Sequence, residues 1–234
     1  MTAANFRAVV GALFWLSNGT RYDIAHAVNR LARCVASPDE DSLSAARRVL
    51  RYLSGTRSQG LVFRAGAGSI PTLEAFSDSD YAGDEATSKS TSGVLLKLAG
   101  TPVHWFCKQQ STVSRSSSEA EYVAAGECGR VIVWLRVLLA ELGCPQELPT
   151  PLRIDNETAI AMTTDDGQQF PRRKHIRVVY HWIREAAADG FLTPVWVPTE
   201  KQEADLLTKS LGRTVFQRLC QLIAGEAVAP VSRA

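Results

Sequence analysis

The stretch from Leu73 to Lys108 constrains the fold of this chain more than any other part of the sequence. It opens with an alternating apolar run that ends in Asp78 and Asp80, and spacing of two places both aspartates on one face of a strand. A turn-rich segment follows, and then two strand-like runs, SGVLLKLAG and TPVHWFCK, with a predicted turn at Thr101-Pro102. The sequence therefore predicts an antiparallel meander whose first strand ends in acidic residues. On this stretch alone, the aspartates are either exposed turn residues or part of a functional site.

Length and composition exclude several classes of protein. A chain of 234 residues with 45% hydrophobic residues suits a soluble globular protein of one large or two small domains. No apolar run is long enough to span a membrane, and the N-terminus lacks the form of a signal peptide. The five cysteines form no CxxC pair, which argues against a zinc site or a disulfide framework and favours a reducing compartment. The net charge of +2 does not by itself indicate a nucleic-acid partner.

The N-terminal part of the chain has a helical pattern. Residues 5–57 contain three apolar stripes at helical spacing, and the stretch from Ser54 to Ser69 is rich in glycine, serine and arginine. We therefore place a domain boundary in that stretch. Three arginines on the polar side of the third predicted helix either form a solvated face or face phosphate groups: Arg47, Arg48 and Arg51.

The longest predicted helix, over residues 118–142, carries a candidate functional carboxylate near its start. Glu121 heads a stripe with spacings of four and three whose other members are apolar, so we expect it to face the core. Glu119 falls on another row and is expected to be solvated. Glu121 could instead complete a capping box with Ser118, but Ser116 and Glu119 fit the same pattern and would leave Glu121 free.

Two more acidic residues stand at element boundaries in the C-terminal half. Asp155 follows the short strand PLRID and precedes a helix. Asn156 is a plausible N-cap of that helix, and the alternative is that Asp155 itself is the cap. Asp205 lies inside a predicted helix that Thr199 and Gln202 open as a capping box.

Four carboxylates therefore form the candidate site: Asp78, Glu121, Asp155 and Asp205. No histidine or cysteine is spaced to join them, and a set of oxygen ligands alone suits Mg²⁺ or Mn²⁺. Such clusters commonly support two-metal phosphoryl chemistry, with the ions ~3.5–4 Å apart. Because four like charges repel one another, we expect cation binding and assembly of the site to be coupled.

The densest basic cluster in the chain is a candidate nucleic-acid-binding segment. It comprises Arg172, Arg173 and Lys174 in a polar stretch before the next predicted helix. These side chains either contact phosphate groups or form a solvated loop.

Six ordered segments resemble the ribonuclease H domain of Ty1/copia-type retrotransposon polyproteins: AFSDSDYAGD, KSTSG, SRSSSEAEYVAA, IDNETAI, KHI and VPTEKQEADLLTK. The preceding segment FRAVVGALFWLSNGTRYDIAHAVNRLAR resembles the end of the reverse transcriptase in those polyproteins. The resemblance implies an α/β fold, a ribonuclease H-like mixed five-stranded sheet with flanking helices, preceded by a small helical unit. The implied division is residues 1–57 as the reverse transcriptase end, 58–70 as a linker, 71–224 as the ribonuclease H-like domain and 225–234 as a disordered tail.

The same resemblance implies a function and a set of catalytic residues. The family's four catalytic and metal-binding acids fall on Asp78, on Glu121 in EAEY, on Asp155 in IDN and on Asp205 in QEADLLTK, with two Mg²⁺ or Mn²⁺ ions as cofactors. The implied partners are an RNA–DNA hybrid and the reverse transcriptase region of the same polyprotein, in a cytoplasmic virus-like particle or the nucleus. Related enzymes often carry a histidine before the last acid, but VPTEK has none, so no proton shuttle is assigned.

Two functions compete at this point. The chain has no polymerase YxDD motif and no integrase zinc motif, so we expect a fragment or a degenerate copy of a polyprotein. The first reading is a metal-dependent endonuclease that cleaves the RNA strand of RNA–DNA hybrids. The second is an inactive remnant that binds nucleic acid or docks to reverse transcriptase. The presence of all four acids favours the enzyme.

Overall fold

The computed structural model describes residues 3–63, 70–164 and 182–224, and a five-stranded sheet forms its centre. The strand order is β3-β2-β1-β4-β5. Strands β1 to β3 pair antiparallel, whereas β4 runs parallel to β1 and β5 runs parallel to β4. The strands are β1 Leu73–Asp80, β2 Thr91–Leu98, β3 Thr101–Gln109, β4 Thr150–Ile154 and β5 Leu192–Trp196.

Helices precede the sheet and flank both of its faces. They are α1 Ala3–Gly19, α2 Ala25–Arg33, α3 Glu40–Gly55, α4 Ser117–Glu141, α5 Glu157–Thr164, α6 with helical residues 182–188, α7 Asp205–Thr208 and α8 Arg213–Ala224, with 3-10 turns at Tyr22–Ile24 and Thr199–Lys201. The predicted fold class, a mixed five-stranded sheet with flanking helices and a preceding helical unit, is confirmed. None of these helices, within the part of the chain that the structure describes, is both long and apolar enough to cross a membrane.

The predicted meander is confirmed, but its second turn lies two residues earlier than expected. Ala99 and Gly100 both have positive φ angles, of 50° and 79°, and they form the turn between β2 and β3. Thr101 and Pro102 are instead the first residues of β3. A proline is tolerated there because β3 lies at the edge of the sheet, where one side of the strand donates no ladder hydrogen bonds.

Helix α4 crosses one face of the sheet, as its apolar stripe predicts. Ala125, Cys128 and Ile132 on that stripe are fully buried and pack with residues of β1, β2 and β4 in one core. The stripe ends at Leu139, because Leu142 lies past the end of the helix and is 68% exposed. The connection from β3 through α4 to β4 is the crossover that brings β4 parallel to β1.

The opposite face of the sheet packs against α7, α8 and the part of the helical unit where α1 ends and α2 begins. Tyr22 shares a core there with Phe76, Leu95 and Trp105, and the Trp105 Nε1 donates a 2.6 Å hydrogen bond to the Ser17 carbonyl. Helices α1 to α3 enclose a further apolar core of their own. Residues 64–69 and 225–234 lie outside the described residues, so the linker and tail assignments stay predictions.

Candidate metal centre

Three elements bring three of the predicted carboxylates together. Asp78 lies near the end of β1, Glu121 lies in the second turn of α4, and Asp155 directly follows β4. One oxygen of each carboxylate lies within 4.8 Å of the others. They meet because β1 and β4 are parallel neighbours and α4 packs across β1. The first two are almost fully buried, with Asp78 1% and Glu121 6% exposed.

The two oxygens of Glu121 have different surroundings. Oε1 accepts hydrogen bonds from the Ser79 backbone N–H at 3.1 Å and from the Ser79 hydroxyl at 3.0 Å. Oε2 is buried and has no hydrogen-bond partner among the described residues. Leaving a buried carboxylate oxygen unpaired costs free energy, and hard divalent cations bind such oxygens. The donor set therefore fits Mg²⁺ or Mn²⁺.

Burial and mutual repulsion make these carboxylates hard to ionise when no cation is present. Burial, followed by the charges of Asp78 and Asp155, raises the pKa of Glu121 to about 9. Burial and Asp78 also raise the pKa of Asp155. The pKa of Asp205 rises to about 7, again chiefly through burial and then Asp78, although Lys209 opposes the change. These shifts indicate that the acids of the cluster hold protons more readily than isolated acids do, and a bound cation would favour their charged forms.

The fourth predicted acid, Asp205, lies next to this group and is joined to it by a lysine. The Lys209 ammonium contacts Asp205 Oδ1 at 2.6 Å and Asp78 Oδ1 at 3.2 Å. The Thr208 hydroxyl donates to the other oxygen of Asp78. Burial lowers the pKa of Lys209, but Asp78 and Asp205 outweigh it and raise the pKa overall. Sequence reasoning missed Lys209, although its spacing of four from Asp205 is that of a helical ion pair.

The predicted start of the helix around Asp205 is wrong. Thr199–Lys201 is a short 3-10 turn, and Asp205 is the first residue of the four-residue α7. The proposed capping residues make tertiary contacts instead. The Thr199 hydroxyl donates to Asp155 Oδ2 at 3.2 Å, and Gln202 Nε2 donates to the Ser77 carbonyl at 3.0 Å. Both residues thereby anchor this segment beside the acidic cluster.

A glycine allows α7 to approach the sheet closely. Gly93 of β2 lies opposite Asp78 in the strand register. A Cβ at this position would lie 2.6 Å from Thr208 Cγ2 and 3.0 Å from the Ala204 carbonyl oxygen, which is closer than packed atoms allow. The absence of a side chain at Gly93 is therefore what lets the α7 backbone lie over β2 beside Asp78.

The hydrogen bonds at the start of α4 show which of the two glutamates, Glu119 or Glu121, takes part in capping the helix. Ser116 is the N-cap, and its side chain accepts a hydrogen bond from the Glu119 N–H at 3.2 Å. Glu119 Oε2 in turn accepts a hydrogen bond from the Arg115 N–H at 3.2 Å. The alternative in which Glu121 is only a capping residue is therefore wrong. The expected solvation of Glu119 is also wrong, because only 6% of this residue is exposed.

The cap of α5 follows the prediction. Asn156 Oδ1 accepts a hydrogen bond from the Ala159 N–H at 2.9 Å, so Asn156, and not Asp155, caps this helix. Asp155 is thereby left to face Asp78 and Glu121. Asp80, the second aspartate of β1, is partly buried and lies outside the group of three carboxylates; burial is the main cause of its raised pKa.

The structure describes only some of the basic residues that the sequence suggested as phosphate contacts. Arg172, Arg173 and Lys174 lie outside the described residues. The three arginines of α3 named above are exposed. A further arginine, Arg33 of α2, forms a 3.0 Å ion pair with Asp84 in the loop after β1, which joins the helical unit to the side of the sheet that carries the acids.

The amino-acid sequence is similar along nearly its whole length to transposon polyproteins. It is 39% identical over 225 residues to the retrovirus-related Pol polyprotein from transposon RE1 of Arabidopsis thaliana, covering 96% of this chain and 15% of that protein. It is 37% identical over 225 residues to the corresponding polyprotein from transposon TNT 1-94 of Nicotiana tabacum, covering 96% of this chain and 16% of that protein. The chain thus spans about a sixth of the length of these curated relatives. No protein-family model matches.

Among solved structures, the chain is similar to LC11-RNase H1, which was crystallised in complex with an RNA/DNA hybrid. The alignment covers 58% of this chain and 94% of that protein, with 18% sequence identity and a TM-score of 0.44.

Proposed function

Because this chain is homologous to the Pol polyproteins of copia-type transposons, we propose that it hydrolyses the RNA strand of RNA–DNA hybrids with the help of two divalent cations, Mg²⁺ or Mn²⁺. The observation that carries the proposal is the meeting of Asp78, Glu121 and Asp155, whose oxygens lie within 4.8 Å of one another. The buried Glu121 Oε2, which has no hydrogen-bond partner among the described residues, supports it further. All three, together with Asp205, are the residues that we propose as catalytic and metal-binding.

Each carboxylate has a polar neighbour that orients it. Ser79 holds Glu121 Oε1, which leaves Oε2 free to bind a cation. Thr199 holds one oxygen of Asp155, and Thr208 holds one oxygen of Asp78. Pre-orientation of this kind lowers the cost of assembling the site around a cation, because the ligands lose little further conformational freedom.

The proposed reaction is a displacement at phosphorus. A water oxygen attacks the phosphorus atom, and the bond to the 3′-oxygen breaks, so that the products carry 3′-hydroxyl and 5′-phosphate ends. When bound, the divalent cations lower the pKa of the water and stabilise the leaving oxygen. The carboxylates of Asp78, Glu121, Asp155 and Asp205 would hold them, and all of these except the half-buried Asp155 are buried. No side chain is assigned as the acceptor of the water proton.

Substrate recognition is proposed to depend on the shape and charge of the hybrid. Phosphates and 2′-hydroxyls in the minor groove offer contacts that distinguish an RNA strand from DNA without reading its sequence. We assign phosphate contacts to Arg172, Arg173 and Lys174. A further proposed partner is the reverse transcriptase region of the same polyprotein, which acts in a cytoplasmic virus-like particle or the nucleus.

The domain division remains part of the proposal. Residues 1–57 are assigned to the end of the reverse transcriptase, 58–70 to a linker, 71–224 to the ribonuclease H-like domain and 225–234 to a disordered tail. Within the described residues, the close packing of Tyr22 and Ser17 against Trp105 supports an arrangement in which the reverse transcriptase end acts as a rigid support for the ribonuclease H-like domain.

The test is cleavage of an end-labelled RNA–DNA hybrid by the full chain, with Mg²⁺ and with EDTA. We expect the RNA strand to be cut only with the cation, and a DNA duplex of the same sequence to stay intact. An Asp78→Asn variant is the control for contaminating nucleases. Binding of the hybrid without cleavage, in a protein whose melting temperature does not respond to Mg²⁺ or Mn²⁺, would instead support the inactive binding module.

A further inference from the structure

One ammonium group lies between two of the four proposed metal-binding carboxylates. Lys209 Nζ contacts Asp78 Oδ1 at 3.2 Å and Asp205 Oδ1 at 2.6 Å. The two aspartate side chains are buried, with 1% and 9% exposed, whereas 34% of the Lys209 side chain is exposed. The lysine therefore enters the site from the solvent side and ends on its most deeply buried acid.

The contacts of Lys209 engage the oxygens that a cation shared by Asp78 and Asp205 would use. The second oxygen of Asp78 is already held by the Thr208 hydroxyl, so Oδ1 is the one that remains for a cation. Asp205 is not part of the group of three carboxylates whose oxygens lie within 4.8 Å of one another, and Lys209 is what joins it to that group. A cation bound by Asp78 Oδ1 and Asp205 would therefore need the space that the ammonium now occupies.

We propose that Lys209 is a built-in competitor for one of the two divalent cations, and that its ammonium must leave the space between Asp78 and Asp205 before that cation binds. This inference rests on the proposed metal-dependent function. In the cation-free protein, Lys209 forms ion pairs with two buried carboxylates and offsets part of their negative charge. Its flexible four-carbon stem and partial exposure give it a path to solvent when a cation arrives.

Competition of this kind has opposite effects on the cation-free and the cation-bound state of the site. Removing the ammonium exposes Asp78 and Asp205 to their mutual repulsion, which destabilises the cation-free protein. The same removal frees their oxygens and strengthens binding of the cation. A lysine with a purely structural role would instead stabilise both states equally, so the change in cation affinity separates the two explanations.

The experiment is calorimetric titration of the full chain with Mn²⁺, comparing wild type with Lys209→Gln. Of the two Mn²⁺ ions, we expect the one with the lower affinity to bind about tenfold more tightly to Lys209→Gln than to wild type. A factor of this size is typical of the coupling between two binding sites. The matched control is Lys201→Gln, which removes the same charge from an exposed residue of the neighbouring turn and should leave the affinity unchanged. A second variant, Lys209→Arg, keeps the charge and adds a forked donor, so it should fold and bind Mn²⁺ more weakly than wild type.

Melting temperatures provide the second readout. With EDTA, Lys209→Gln should melt below wild type, and saturating Mn²⁺ should close this gap. Equal Mn²⁺ affinity in wild type and both Lys209 variants would overturn this inference and leave the proposed function intact. Failure of wild type and Lys209→Gln alike to bind Mn²⁺ would overturn the proposed metal-dependent function as well.

Discussion

Replacing Glu121 with glutamine tests the electrostatic description of the site, because the variant changes charge and almost nothing else. Glutamine retains an oxygen that accepts the hydrogen bonds from Ser79. Its amide nitrogen would take the place of Oε2, the buried oxygen for which the described part of the chain offers no hydrogen-bond partner. The charge that is lost is the one that burial, Asp78 and Asp155 oppose.

The expected effect on stability follows from the raised pKa. Glu121 has a pKa of about 9 in the folded protein against an ordinary value of 4.5, so between these pH values the folded state binds a proton that the unfolded state has released. Stability contributed by this proton is complete below the unfolded pKa and is lost as pH rises through the folded pKa. The slope is at most about 1.4 kcal/mol per pH unit, or up to roughly 4 kcal/mol between pH 5 and pH 8.

The assay is thermal unfolding in EDTA at several pH values from about 5 to 8. The free energy above corresponds to a fall of roughly 8–16 °C in melting temperature for wild type. Between pH 5 and pH 8, the melting temperature of Glu121→Gln should decrease by no more than half as much as that of wild type. At pH 8 the variant should therefore melt above wild type. With Mg²⁺ or Mn²⁺ the order should reverse, because the cation stabilises only the protein that keeps the carboxylate.

Glu119→Gln is the matched control, since it makes the same chemical change two residues away. Glu119 accepts its hydrogen bond from the Arg115 backbone, so the variant should keep both the pH dependence and the cation response of wild type, at a cost of about 1 kcal/mol. It should also cleave the hybrid, whereas Glu121→Gln should not. If Glu121→Gln showed the wild-type pH dependence, or if Glu119→Gln were the inactive variant, the assignment of the second acid would be wrong.

Three further predictions concern other parts of the site. Asp155→Asn should abolish cleavage and retain hybrid binding, and near wild-type cleavage would show that Asp155 is not catalytic. Replacing Arg172, Arg173 and Lys174 together with alanine should weaken hybrid binding and reduce its salt dependence by up to about three phosphate contacts; an unchanged slope in a binding titration would indicate a solvated loop. Gly93→Ala should destabilise the protein by about 1–3 kcal/mol and weaken Mn²⁺ binding, and unfolding and titration that match wild type would contradict the close approach of α7.

Elements with a strong hydrophobic period were predictable from the sequence. The α4 stripe placed Glu121 at the head of a core-facing row, and the structure buries both the row and the glutamate. The alternating run and the two strand-like runs likewise predicted β1 to β3, although β1 and β2 are buried on both faces, between the two cores on either side of the sheet. Asp155 was predicted to lie at a strand-to-helix junction, with Asn156 as the cap of the helix. The hydrogen bond from the Ala159 N–H to Asn156 Oδ1 confirms that cap.

Features that depend on distant contacts were not predictable from local patterns. Thr199 and Gln202 look like a capping pair, but their hydrogen bonds go to Asp155 and to the Ser77 carbonyl, 44 and 125 residues away in the sequence. Glu119 seemed solvated because its own helical row is polar, but the turn before α4 covers it through the Arg115 N–H. A local pattern describes what a segment could form alone, and tertiary contacts decided both cases.

The hydrogen bond between Thr208 and Asp78 has a consequence for the biosynthesis of the chain, because its two residues are 130 positions apart. At a translation rate of about 5–20 residues per second, the ribosome adds the intervening segment in roughly 7–26 s. During that time the nascent chain displays Asp78 without the segment that closes over it. The acidic cluster can therefore close only after the sequence through Lys209 has left the exit tunnel, and the helices and the antiparallel hairpins, whose contacts are local, can form earlier.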